Sequence, residues 1–193
     1  DDNVVLLGQD IGKNGGVFRA TEGLQSTYGE TRVIDMPLAE NLIAGSAVGM
    51  ATQGLIPVAE FQFMGFIYPA LDQIINHASR MRNRTRGRLT CKAVFRAPYC
   101  GGIGAPEHHS ESTEAMFAHI PGIRVVIPSS PARAYGLLLA AIANPDPVVF
   151  LEPKKIYRSI KQEVDLNNKP LPLDKAFVLK EGSDLTIVSW GAT

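Results

Sequence analysis

Short runs rich in valine, isoleucine and phenylalanine alternate with helix-length segments through the first 153 residues, and this alternation limits the fold more than any other feature. The runs are VVLLG (residues 4–8), RVIDMP (32–37), IPVAEFQF (56–63), CKAVFRAP (91–98), IRVVIPS (123–129) and PVVFLEP (147–153). Nearly unbroken apolarity over this length suits strands buried on both faces. Between them lie residues 38–54, 67–85, 112–120 and 130–144, each long enough for a crossover helix and most with apolar residues three and four apart. Gly54 reads as a helix C-cap, and Ser130-Pro131 as an N-cap followed by proline at the first helical position. Strand-helix alternation implies an α/β fold: an open, mostly parallel sheet with helices on both faces. Ligands of such sheets gather beyond the carboxyl ends of the strands.

From Lys154 the pattern changes. Polar, proline-containing sequence leads to DLTIVSW (184–190), a fresh strand signal read as the opening of a second domain. The expected division is therefore 1–153 as one folded unit and 154–193 as a linker and first strand, that stretch being loosely held, disordered or paired with a neighbouring chain.

Lysine plus arginine equal aspartate plus glutamate at 19 each, so no net field draws the chain to nucleic acid or an acidic membrane. The arginine-rich run RMRNRTRGR (80–88) closes a predicted helix, where positive charge is favoured by the dipole; it reads as a solvated or subunit-facing surface, with no nucleic-acid partner. No apolar run reaches the roughly 18 to 20 residues needed to cross a bilayer, and the expectation is no membrane partner. The polar start Asp1-Asp2-Asn3 fits a chain whose targeting segment, if any, has been removed. Cys91 and Cys100 lack metal-ligand spacing and read as reduced thiols of a cytoplasmic or organelle-matrix protein.

Chemistry concentrates just after the predicted strands. Glu40 begins a helix whose next turns carry Ala44, Gly45, Ala47 and Gly49, small residues that admit a close neighbour; alone it reads as a first-turn acid favoured by the dipole. Phe66 follows a strand and alone reads equally as core, as do Phe61, Phe63 and Tyr68. The segment YCGGIGAPEHHSES (99–112) has the composition of a functional loop, with His108 and His109 ahead of a helix start. Adjacent histidines rarely point at one ion and no other His or Cys is suitably spaced, so zinc is set aside.

The glutamate-glycine-glycine spacing of Glu40, Gly45 and Gly49 resembles the pyrimidine-side motif of thiamine diphosphate enzymes. The segments GQDIGKNGGVFRATEGL, PVAEFQF with FIYPALDQI, RAPYCGGIGAPEHHSES, HIPGIRVVIPSSP and DPVVFLEPKKIYRS resemble, in the same order, the beta subunits of pyruvate and branched-chain 2-oxo acid dehydrogenases. The resemblance implies a transketolase-like pyrimidine-binding domain, an N-terminal helix preceding Asp1, and a C-terminal transketolase-like domain beginning within 154–193. It implies that Glu40 bonds the aminopyrimidine ring and shares a proton with it, that Phe66 stacks on the ring, that Leu38 is among the cofactor-binding residues, and that His109 faces the reactive end of the cofactor. It further implies a structural potassium ion at Ala93, Ala141, Ile142, Asn144 and Asp146, the two polar types being exchanged relative to the usual order. No GDG motif with paired asparagines is present, so magnesium and diphosphate are expected on an alpha subunit. The implied assembly has two alpha and two beta chains, hence a second beta chain as partner, and delivers acyl groups to a lipoyl acyltransferase component. Its compartment would be bacterial cytoplasm or mitochondrial matrix. The alternative is a non-catalytic α/β interaction module or inactive fragment of the same fold, and the preferred 2-oxo acid is not legible.

Overall fold

The computed structural model describes residues 1–193. Its strands are β1 (Val4–Gly8), β2 (Val33–Asp35), β3 (Ile56–Glu60), β4 (Val94–Tyr99), β5 (Arg124–Val126) and β6 (Val148–Pro153). They form one six-stranded sheet in the order β2-β1-β3-β4-β6-β5, every pairing parallel. All residues of β3 and β4 are buried, including Glu60 and Arg96, which interrupt their otherwise apolar runs. Because the chain goes from β1 outward to β2 and returns to β3 on the other side of β1, the strand order reverses there. In open parallel sheets the carboxyl ends of the strands flanking such a reversal are where ligands gather.

The helices are α1 (Leu24–Tyr28), α2 (Glu40–Thr52), α3 (Met81–Arg84), α4 (Glu114–Ala118) and α5 (Pro131–Ala143). On one face of the sheet, Leu7, Ala59, Phe95, Ala97, Val149 and Leu151 pack with Ile43, Ala44 and Ala47 of α2, Ile74 and Phe117. On the other, Val58, Val94, Val148 and Phe150 meet Leu137 and Ala141 of α5. Helices on both faces agree with the expectation.

The single helix expected over 67–85 is instead a 3-10 turn (Tyr68–Ala70), a π-helical stretch (Asp72–Ala78) and α3. Pro69 lies in the first turn, and Ser79 bonds back twice, its N–H to the Ile74 carbonyl at 3.0 Å and its Oγ to Ile75 O at 2.5 Å. Such bonds widen and break a regular helix. The five-residue α1 was not expected, being too short to show a period.

Residues 154–193 hold one 3-10 turn (Lys154–Ile156) and no strand. Leu171, Leu173 and Phe177 lie against the α5 side of the core, and the Leu171 N–H donates to Gly136 O at 3.0 Å. The DLTIVSW stretch has no ladder partner, and its Ile187 is 81% exposed.

Candidate active site

The loop after β3 and the glycine-rich loop after β4 meet at the carboxyl edge. Met64–Phe66 forms a 3-10 turn directly beyond β3, burying Met64 and Gly65 and leaving Phe66 half-exposed. Gly65 is obligatory here, since a β-carbon would overlap the main-chain carbonyl of His108. That close approach sets His109 against two aromatic rings, with centroids 4.6 Å from Phe63 and 5.1 Å from Phe66 in edge-on geometry. Phe63 and Phe66 are themselves 5.6 Å apart. The His109 Nδ1 lies 3.1 Å from the Glu107 carbonyl. A carbonyl only accepts, so Nδ1 carries the proton in this bond and the neutral ring keeps Nε2 as its acceptor nitrogen.

Several contacts hold the glycine-rich loop in place. Cys100 and His108 adopt left-handed backbone angles, with φ of 65° and 67°. The Cys100 N–H donates to Glu111 O at 2.8 Å, and the Tyr68 hydroxyl to Glu111 Oε2 at 3.1 Å. Buried Lys154 donates its ammonium to the Cys100 carbonyl and lies 5.8 Å from the Phe63 ring centroid. Burial lowers the Lys154 pKa below the usual lysine range.

Behind this cluster, charges cross the sheet. Arg96 of β4 grips Glu152 of β6 with two bonds, Nε to Oε1 at 2.6 Å and a terminal nitrogen to Oε2 at 2.8 Å, and bonds Glu60 of β3 with its other terminal nitrogen. The Tyr157 hydroxyl adds a bond of 2.6 Å to Glu152. Burial tends to raise the Glu152 pKa, but the charge and hydrogen bonds of Arg96 and the bond from Tyr157 outweigh it and lower the value. For Glu60, burial, with the charge of Glu152 beside it, outweighs Arg96 and holds its carboxyl above the usual range. These three residues also border a cavity of about 240 Å³ on the α5 side of the sheet, where Val4, Leu6 and Leu138 supply apolar wall. Phe18 joins the two groups, its ring centroid 5.1 Å from Tyr157 and 5.6 Å from Phe63.

Of the residues singled out from sequence, Phe66 and His109 come together. Glu40 is half-buried at the first turn of α2, which follows β2 and packs against β3 and the Tyr68–Ala78 segment beyond it. Leu38 is 73% exposed. The five potassium candidates gather where α5 leads into β6 and where the chain enters β4. There the Ala93 carbonyl accepts from Val148 N at 3.0 Å and the Ala141 carbonyl from Asn144 N at 3.2 Å. Asn144 Nδ2 donates to Asp146 O at 2.6 Å, Ile142 packs against the α5-side core, and Arg82 Nε bonds Asp146 Oδ1 at 2.7 Å. Phe63, read as core from sequence, touches His109, and Lys154 was not singled out at all. Neither gave a local signal.

Comparison with known proteins accords with this architecture. Residues 1–159 match the family described as "Transketolase, pyrimidine binding domain". The pyruvate dehydrogenase E1 component subunit beta of Acholeplasma laidlawii is 58% identical over 192 residues, covering 100% of this chain and 59% of that protein. The 2-oxoisovalerate dehydrogenase subunit beta of Bacillus subtilis is 49% identical over 191 residues, covering 99% of this chain and 58% of that protein. The chain thus spans less than two thirds of these relatives. A solved structure described as a split gene transketolase, inactive beta4 tetramer, superposes with a TM-score of 0.58 at 22% identity, over 84% of this chain and 50% of that one; at that identity it supports the fold alone. By its sheet, its matched family and its relatives, this chain belongs to the transketolase-type pyrimidine-binding domains, alongside the beta subunits of pyruvate and 2-oxoisovalerate dehydrogenases.

Proposed function

We propose that the chain supplies the aminopyrimidine side of a thiamine diphosphate site in the beta subunit of a 2-oxo acid dehydrogenase, completed by an alpha subunit that holds magnesium and diphosphate. The observation that carries this reading is the cluster in the loops beyond the carboxyl ends of β3 and β4: a half-exposed phenyl ring, Phe66, beside a histidine whose Nδ1 lies 3.1 Å from a main-chain carbonyl. A flat apolar face next to an acid/base group suits a heteroaromatic ligand better than a phosphate or a sugar. When bound, the cofactor supplies a nucleophilic carbon for decarboxylating a 2-oxo acid. The chain's own residues have separate tasks. Phe66 offers its face to the ring, Glu40 shares a proton with the ring nitrogen remote from the amino group, and His109 Nε2 gives or takes a proton at the reacting end. Leu38 is assigned to cofactor binding in the same reading.

In the same reading the assembly contains two alpha and two beta chains, passes acyl groups to a lipoyl acyltransferase component, and works in bacterial cytoplasm or mitochondrial matrix. No helix of the chain is long and apolar enough to cross a membrane. A structural potassium ion would draw on the carbonyls of Ala93, Ala141 and Ile142 with Asn144. Asp146 could join only by sharing its carboxylate with Arg82.

The test is Glu40→Gln in the beta chain assembled with its alpha partner, followed by proton exchange at the thiazolium carbon of the bound cofactor. Assembly should persist while exchange slows by about 10²-fold or more, because an amide cannot share the proton. An unchanged exchange rate would return Glu40 to the role of a helix-start acid.

A further inference from the structure

A polar hollow of about 680 Å³ opens near the amino end of β5, the opposite edge of the sheet from the aromatic cluster, and Arg82, Arg86 and Arg124 line it with Asp146 as the one carboxylate. Its wall contains a single apolar residue. The arginines are not a random share of the 80–88 run. Arg84 donates to the Asn76 carbonyl at 2.7 Å and Arg88 to the Thr85 carbonyl at 3.1 Å, so those two are spent on local backbone. Arg82 lies on α3 and Arg86 in the turn just past its C-terminus, and both line the hollow. Arg124, the first residue of β5, reaches the same hollow from a separate element.

Main-chain packing builds the site. Gly122, at φ 90°, lies so close to Ser79 that a β-carbon would overlap the Ser79 carbonyl, which brings the start of β5 against the approach to α3. Arg86 is held at φ 54° and is followed by Gly87 at 80°, a pair of left-handed residues that turns the chain at the rim. For a long side chain such a conformation is uncommon and persists where the surroundings fix it. Asp146 orients Arg82 through Nε alone, leaving the two terminal nitrogens of that guanidinium for another partner. Three guanidinium groups against one carboxylate leave a local excess of two positive charges in a chain that is neutral as a whole.

We propose that this hollow binds a phosphoryl group, as free phosphate or as the monoester of a small metabolite. A phosphate near neutral pH carries about 1.5 to 2 negative charges, which matches the local excess, and presents oxygens on several sides at once. Planar guanidinium forks arriving from two elements can bond more than one side of such a tetrahedral ion, whereas a flat carboxylate is satisfied by a single fork. This assignment is independent of the cofactor site.

Orthophosphate and adenosine monophosphate, titrated separately into the chain at constant ionic strength, test the proposal through the arginine Nε–Hε NMR signals. Saturable shifts are expected at Arg82, Arg86 and Arg124 with at least one of the two. Tighter binding of the nucleotide assigns an esterified ligand, and equal binding the free ion. The double variant Arg86→Gln with Arg124→Gln should weaken binding by about tenfold or more, while Arg88→Gln leaves it unchanged. Arg124→Lys, which keeps the charge and removes the fork, is a milder variant should the double one not fold, and it should also weaken binding. Linear, non-saturating shifts with both ligands, or an equal loss in Arg88→Gln, would overturn the assignment and leave only diffuse screening.

Discussion

Replacing Arg96 with methionine should destabilise the chain by about 3–5 kcal/mol near pH 7, since it leaves two buried carboxylates without their shared cation. The side chains of Arg96, Glu60 and Glu152 are 9%, 7% and 13% exposed, so water cannot take over from the lost guanidinium. Arg96 makes three charge-assisted bonds, two of them to Glu152. At roughly 1.5–3 kcal/mol each they would add to more than 3–5 kcal/mol, but the orphaned carboxylates recover part of the loss by taking up protons. At about 2–4 °C per kcal/mol for a chain of this size, the melting temperature should fall by roughly 6 to 20 °C. The pH dependence supplies a sharper check. Glu152 has a folded pKa below its unfolded one, so its stabilisation is present above the unfolded value and fades as pH drops through the folded value. Glu60 has a raised folded pKa, so its contribution is full below the unfolded value and is lost as pH rises through the folded one. In Arg96→Met both carboxylates behave like Glu60, and the deficit against the parent chain should shrink between about pH 7 and pH 5. Thermal unfolding followed by circular dichroism across that window measures it. A deficit under about 1 kcal/mol at neutral pH, or one that widens on acidification, would refute the reasoning. Glu60→Gln is the companion variant and should cost less than about 1 kcal/mol near pH 7, because it removes an unfavourable ionisation and keeps an acceptor for Arg96.

Other consequences are open to equally direct measurement. Gly65→Ala should push the glycine-rich loop off the 3-10 turn after β3, lowering stability by about 2–4 kcal/mol and shifting the His109 ring resonances, whereas Gly49→Ala, with open space at its β-carbon, should do neither. Lys154→Met should speed proteolytic cleavage within residues 100–112 about tenfold, and Lys154→Arg should keep part of the protection; equal cleavage in all three chains would remove Lys154 as the clamp on Cys100. Cys91 is 1% exposed and burial pushes its thiol up to about 12, so iodoacetamide at about pH 8 should label Cys100 in the folded chain and reach Cys91 only on unfolding. Comparable labelling of both thiols in the native state would contradict the packing around Cys91.

The sheet was legible because its signal is local: β3 and β4 are apolar enough to be read residue by residue, and the structure buries every position in them. The break in the 67–85 helix was not, because the apolar spacing continues past the point where Ser79 bonds back to Ile74 and Ile75, and a hydrogen bond leaves no mark on periodicity. The candidate site was legible only in part. His109 and Phe66 lie in glycine-rich, strand-following segments and could be picked out. Phe63 looked like any core phenylalanine, and Lys154, half of a Lys-Lys pair at the edge of polar sequence, gave no sign of burial. The charges within the strands carry a further signal. Glu60, Arg96 and Glu152 interrupt otherwise apolar runs, and such residues persist in a core only when they meet one another. Their mutual pairing requires β3, β4 and β6 to be neighbours, which is the order the sheet adopts. The same charges lead toward the site, since Tyr157 on Glu152 touches Phe18, Phe18 touches Phe63, and Phe63 touches His109. They thus stand directly behind the aromatic cluster, where their ion pairs and hydrogen bonds tie β3, β4 and β6 to one another.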